Sequence, residues 1–318
     1  MPNVPSLKIF ALAAATATVT SIVFGGAGFP PLKGRQTYED GLAAWRKHQT
    51  EALLADDGWL DVTGLAWLTE GDTTIGSSSD AKLVLPAYAP KSLGTLSLSK
   101  GRVTLNVSPD ARVEVDGKPV TTVEMKSDSV RAVAGSITLM VIQRGKRIGL
   151  RMFDKNSKAR REFTGQKWFP PNKILRVSAK LIPYDPPHTI TIFNVIGDAT
   201  EVKCPGYLSF KVDGKECRLD VQPQGNGYFL NFTDTTSGQE TYPAGRFLDV
   251  PRAANGSVVI DFNEAVNPPC AFTEFATCPL PPANNRLKVA IPAGEKNYHD
   301  ANVDPELLKR ARKKVPPR

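Results

Sequence analysis

Histidine is scarce: the 318 residues contain 3 histidines, beside 4 cysteines, 4 methionines and 4 tryptophans. His48, His188 and His299 stand apart from one another and from the cysteines. Cys270 and Cys278 are separated by seven residues, which is not a zinc-knuckle spacing, so no metal site is expected. The chain also lacks a Gly-x-Ser-x-Gly nucleophile elbow, a phosphate-binding Gly-Lys-Ser/Thr loop, a His-Glu-x-x-His pair and a dinucleotide fingerprint. No cofactor is implied. No period of 20 to 50 residues recurs, which argues against solenoids and propellers.

The net charge of +8 suggests a nucleic-acid binder only until it is located. From Asp304 onward six bases face two acids, so half of the excess lies in a short terminal run that reads as a solvated tail. No nucleic-acid partner is expected. At the other end, Lys8 precedes an apolar stretch from Ile9 to Phe24, and Gly25-Gly26-Ala27 offers a small-x-small cleavage site. The expectation is an exported chain, periplasmic or secreted, cleaved near Ala27. The alternative is an uncleaved N-terminal membrane anchor, which would be the chain's membrane contact.

With 25 glycines and 26 prolines, turn residues are plentiful, and the apolar runs between them are short and often alternating. One amphipathic helix is expected within residues 35–55, over Tyr38 to Leu54. A first β unit follows over 56–146, with hairpin turns at Asp116-Gly117 and Gly145-Lys146. A second β unit is expected over 147–298, with strands including Leu175 to Pro183, Tyr228 to Phe232 and Val258 to Asn263, and a hairpin at Asp213-Gly214. That hairpin sets Phe210 opposite Cys217. A basic tail, 299–318, opens on an Asp304-Pro305 helix start.

Thr73-Thr74-Ile75-Gly76-Ser77, Leu83-Val84-Leu85-Pro86 and Val113-Glu114-Val115-Asp116-Gly117-Lys118 resemble the forkhead-associated β-sandwich. That family holds phosphothreonine with an Arg after the glycine and a Ser-x-x-His motif. Here Ser77 follows Gly76, and the loop Ala89 to Gly94 has no His, so the resemblance implies the scaffold without phosphopeptide binding.

A second likeness rests on Asp261-Phe262-Asn263-Glu264-Ala265-Val266-Asn267-Pro268-Pro269-Cys270, on Ala276-Thr277-Cys278-Pro279-Leu280-Pro281-Pro282, and on Asn284-Asn285-Arg286-Leu287. With Asp57-Gly58-Trp59-Leu60 and Gly245-Arg246-Phe247-Leu248, these are similar to the domain-of-unknown-function 1684 family over about residues 38 to 298. The family implies no established reaction. The fold expected is mainly β with few helices: a forkhead-associated-like sandwich followed by a second β barrel or sandwich.

Alternation over Val258 to Asn263 would put Asp261 and Asn263 on one face and Ile260 and Phe262 on the other. Prolines 268, 269, 279, 281 and 282 stiffen the loop that follows, where polar groups can be held in place. Tyr242, Arg246, Asp261, Asn263, Asn284, Arg286 and Glu295 are the candidate ligand-binding residues, for a small polar or anionic molecule, should they converge. Structural ion pairing of the same residues is the competing reading. Cys270 and Cys278 are expected to form a disulfide outside the cytoplasm. A hydrolase using the same cluster, with Asp234 as a further carboxylate, and a structural or protein-interaction module of the cell envelope are the alternatives to binding.

Overall fold

A computed structural model describes residues 37–251 and 257–298. The expected export segment, the basic tail, His299 and Asp304 lie outside the described residues. The protein is mainly β, with two α-helices among those residues. Helix α1, Tyr38–Leu53, starts at a capping box in which Thr37 and Asp40 satisfy each other's backbone amides. Helix α2 is the short Lys158–Arg161.

The first unit packs two sheets around one core. Its strands are β1 (Val62–Trp67), β2 (Gly71–Gly76), β3 (Leu83–Val84), β4 (Gly94–Ser99), β5 (Arg102–Val107), β6 (Glu114–Val115), β7 (Lys118–Pro119), β8 (Thr122–Glu124), β9 (Ala132–Ala134), β10 (Ile137–Arg144) and β11 (Arg147–Asp154). They form a six-stranded sheet in the order β1-β11-β10-β9-β6-β7 and a five-stranded sheet in the order β3-β2-β4-β5-β8. Leu96, Leu105, Leu139, Val141 and Leu150 fill the space between. Strand β11 was expected to open the second unit and instead pairs with β10 and β1 in the middle of the first. The physical reason is the two-residue turn at Gly145-Lys146, which returns β11 beside β10 with Arg144 opposite Arg147.

The run Ile137-Thr-Leu-Met-Val-Ile142 is apolar on both sides because β10 is buried on both. Leu139 and Val141 face the sandwich core. Met140 and Ile142 face the other way, where with Val62, Phe153, Trp59 and Phe275 they form a second cluster. The Pro-rich loop after residue 268 thus serves as a third layer on the first unit. Thr273 Oγ1 donates to Val62 O at 3.1 Å, and Arg144 Nε donates to Thr277 Oγ1 at 3.0 Å.

The second unit also packs sheet on sheet. Strands β12 (Arg176–Phe193), β13 (Ala199–Val212), β14 (Lys215–Asp220) and β18 (Ser257–Asp261) form one sheet in the order β14-β13-β12-β18. Strands β15 (Gln222–Gln224), β16 (Gly227–Phe232) and β17 (Arg246–Pro251) form the other. Leu208, Phe210, Leu219, Leu230, Leu248, Ile260 and Phe262 lie in the core between them. The Asp213-Gly214 turn sets Phe210 opposite Cys217, the register its two residues demand.

Strand β18 ends earlier than the alternation predicts. Asp261 caps a 3₁₀ turn over Phe262–Glu264 by accepting from the Asn263 amide, so Asn263 leaves the strand and turns inward. Phe262 and Asn263 are consequently both buried instead of lying on opposite faces.

Candidate functional site

The seven expected ligand-binding residues do not share one site. They fall into four groups, and three of these belong to the interior or its edge.

Arg246, on β17, is fully buried. Its Nη2 pairs with Asp234 Oδ2 at 2.7 Å and donates to Ile291 O at 3.0 Å, while Nη1 donates to Ala293 O. Asp234 Oδ1 in turn accepts from Thr236 Oγ1 at 2.6 Å and from the Ile291 amide at 3.2 Å. Glu295 lies in the same interior. Its Oε2 accepts the Asn267 amide at 2.8 Å, and burial pushes its carboxyl up to about 8 against the lowering pull of that amide, Gln166 and Arg246. Arg246 Nε, Glu295 Oε1 and Asn267 Oδ1 remain without partners. A proton on Glu295 supplies a donor to a region otherwise left with surplus acceptors.

Asp261 and Asn263 belong to the attachment of α1. The Tyr38 hydroxyl donates to Asp261 Oδ2 at 2.9 Å, and Arg176 Nε lies 3.4 Å from the same oxygen. Asn263 accepts the Asn172 amide at 2.7 Å and donates to Asn172 O at 2.8 Å and Asp261 Oδ1 at 2.9 Å, so it straps the 172 loop to the core edge. Beside them Glu264 is pushed up to about 7, by burial first and by the charge of Asp261 second.

Tyr242 is buried, and its hydroxyl donates to Cys270 O at 2.8 Å. The expected disulfide is not formed: Cys204, Cys217, Cys270 and Cys278 are all free thiols. Cys278 Sγ accepts the Cys270 amide at 3.2 Å, which occupies its lone pair with a backbone donor.

Asn284 and Arg286 lie on the outer side of the domain. Asn284 donates to Asp220 Oδ2 at 3.0 Å and accepts from Arg218 Nη2 at 2.9 Å. Asp220 Oδ1 accepts the Tyr184 hydroxyl at 2.8 Å, and burial together with that bond raises the Tyr184 pKa. Tyr184 packs against His188 with ring centroids 4.1 Å apart and against Tyr207 at 5.6 Å, and the Arg218 guanidinium stands 5.6 Å over the Tyr207 ring. Behind this patch Asn285 locks the backbone, accepting the Asp220 amide at 2.7 Å and donating to Asp220 O and Asn231 O. Arg218, His188 and Arg286 are exposed, whereas Asp220 is buried. The result is three rings and an exposed guanidinium set around an anchored carboxylate and amide.

Sequence reasoning missed Tyr184, Tyr207, Arg218 and Asp220. A signal existed: the Asp213-Gly214 turn fixes Tyr207 opposite Asp220 and Ser209 opposite Arg218, which puts those side chains on the face opposite Leu208 and Leu219. Elsewhere, an open depression of about 280 Å³ on the first unit is lined by Ser97, Ser99, Arg102, Thr104 and Glu124, far in sequence from every expected residue. Among the described residues no cluster of three or more His, Cys, Asp or Glu side chains is arranged to hold a metal ion.

Residues 161–296 match the family described as "Protein of unknown function (DUF1684)". This segment belongs to that family. The DUF1684 segment therefore runs from the end of α2 through Lys296 and contains all four groups, with Tyr38 supplied from outside it. No curated protein matches the chain. Among solved structures, the chain is similar to the solution NMR structure of an uncharacterized protein of Haloarcula marismortui, with 31% identity over 43% of this chain and 78% of that one and a TM-score of 0.37.

Proposed function

We propose that the DUF1684 segment binds a small polar or anionic molecule, and that it does so on the outward patch around Asn284. The observation that carries this reading is the linked set Tyr184–Asp220–Asn284–Arg218. Its hydrogen bonds fix the polar groups in advance of a ligand, which reduces the ordering cost of binding. The rings of Tyr184, Tyr207 and His188 offer faces for stacking, and Arg218 offers a planar cation suited to a carboxylate or phosphate. Arg246, Asn263 and Glu295 support it by contrast, since all three are enclosed in the fold. The test is a calorimetric titration with small carboxylated and phosphorylated compounds. Arg218→Ala and Asn284→Ala are each expected to weaken binding at least tenfold while the protein stays folded.

Hydrolysis is the second reading, and it rests on Glu264. A carboxyl near neutrality beside an Asp261 that accepts from Tyr38 is a pairing suited to an acid and a base. Glu264→Gln in a screen of ester and glycoside substrates tests it, and a rate unchanged by the substitution removes it.

Export belongs to the same proposal and rests on Lys8, the apolar run and the site at Ala27. The first sandwich is taken as a forkhead-associated-like scaffold. Ser77 Oγ there donates to Ala89 O at 2.8 Å, a bond made within the loop, and no guanidinium stands at that position.

A further inference from the structure

Cys270 and Cys278 play no part in the binding patch, and their surroundings call for another role. Both lie in the Pro-rich loop that covers β10 and β11 of the first unit. The Cys270 amide donates to Cys278 Sγ at 3.2 Å, and both residues pack in one apolar cluster. Cys278 is 5% exposed, while Cys270 is half-buried. The Tyr242 hydroxyl holds the carbonyl of Cys270 at 2.8 Å, which fixes the backbone on that side.

Next to this pair lies an unusual cation. Arg151, on β11, is 2% exposed, with its guanidinium 4.8 Å over the Trp59 ring, and its Nε and Nη2 have no partner. Buried N–H groups of a charged side chain are costly to leave idle. Trp59, beneath that guanidinium, packs in one apolar cluster with Cys278 and Cys270; burial pushes the Cys278 thiol well up and the charge of Arg151 pulls against it, while Asp128, which also acts on Arg151, is engaged by Arg144 at 3.7 Å. An anion at the Cys278 sulfur is the partner that this guanidinium lacks.

We propose that Cys270 and Cys278 form a thiol–disulfide exchange centre for low-molecular-weight disulfides, with Arg151 as the residue that stabilises the Cys278 thiolate. Cys270, the more accessible, loses its proton to solvent and attacks one sulfur of the disulfide, forming a mixed disulfide and releasing one thiolate. Cys278, deprotonated beside Arg151, then attacks Cys270 Sγ, forming the Cys270–Cys278 bond and releasing the second thiolate. The protein is oxidised by two electrons, the small disulfide is reduced by two, and the two protons pass to the released thiols. Cys204 and Cys217 are not such a pair, because they face His188 and Phe210 from different parts of the sheet.

The experiment treats the full chain with oxidised glutathione and follows it by mass spectrometry and peptide mapping. Wild type is expected to lose two hydrogens and yield a Cys270–Cys278 cross-linked peptide through a short-lived adduct at Cys270. Cys278→Ser is expected to stop at a stable glutathione adduct on Cys270, and Cys270→Ser to leave Cys278 unmodified. Arg151→Met is expected to slow the second step at least tenfold and move its pH profile upward, and Arg151→Lys to restore it. Arg151→Gln takes the place of the methionine variant if that one does not fold. A wild type that stays as a stable adduct or does not react overturns the exchange centre. Neutral substitutions at Arg151 that leave the second step and its pH profile unchanged overturn the role of the cation.

Discussion

Arg246 and Asp234 form an ion pair 2.7 Å long in which neither side chain is exposed to solvent. The pair sits where β17 meets the chain that returns through Ile291 and Ala293, so it holds three separate segments together. Removing one member leaves the other charge buried, which typically costs about 3–5 kcal/mol. Arg246→Met is therefore expected to lower unfolding free energy by at least about 3 kcal/mol in urea titrations. Arg286→Ala, at an exposed position, is expected to stay within about 0.5 kcal/mol of wild type.

Glu295 makes stability depend on pH. Its carboxyl holds a proton in the folded protein up to about 8, whereas in the unfolded chain it ionises near its ordinary value of 4.5. Between those values the folded state binds more protons, so stability falls as pH rises, by at most about 1.4 kcal/mol per pH unit, and levels off above about 8. Glu264, pushed up to about 7, acts in the same direction over the lower part of the window. Urea unfolding from pH 5 to pH 9 measures this. Glu295→Gln is expected to flatten the slope and to raise stability at the alkaline end.

Gly294 positions the carbonyl of Ala293 that Arg246 uses. Its φ is +79°, and a Cβ there would meet Ala265 O at 2.5 Å and Phe262 O at 2.7 Å. Both obstacles are backbone, so neither can rotate away. Gly294→Ala is expected to cost at least about 2 kcal/mol, read as a lowered melting temperature.

The first unit is expected to show no phosphate-dependent binding when titrated with a phosphothreonine peptide library. Ser77 spends its hydroxyl on Ala89 O, and Gly76 packs so closely on the Lys91 carbonyl that a Cβ would lie 2.1 Å from it.

Much of the architecture was legible where a local rule decides it. The apolar spacing over Tyr38 to Leu54 marks α1, and the turns at Asp116-Gly117 and Asp213-Gly214 mark their hairpins. The Gly145-Lys146 turn already returns β11 beside β10, so a unit boundary at 146 cuts through a hairpin; what has no local signal is the second pairing of β11, with β1 some 85 residues earlier. Asn263 was misplaced because the competition between a sixth strand residue and an Asp261-capped turn is settled by the loop at Asn172, which no local pattern contains. The same limit applies to the candidate residues. Arg246 and Asn284 are chemically alike in being able to hold an anion, but only long-range packing decides that one is enclosed and the other sits at the rim beside Arg218.

The most direct test of this account is a calorimetric comparison of wild type, Arg218→Ala and Asn284→Ala against one panel of small carboxylated and phosphorylated compounds, with melting temperatures recorded in parallel. The account predicts at least one compound that binds wild type and is lost or weakened at least tenfold in both variants, whose melting temperatures stay within a few degrees of wild type. Binding that both variants retain unchanged would contradict it, as would a panel in which no compound binds wild type.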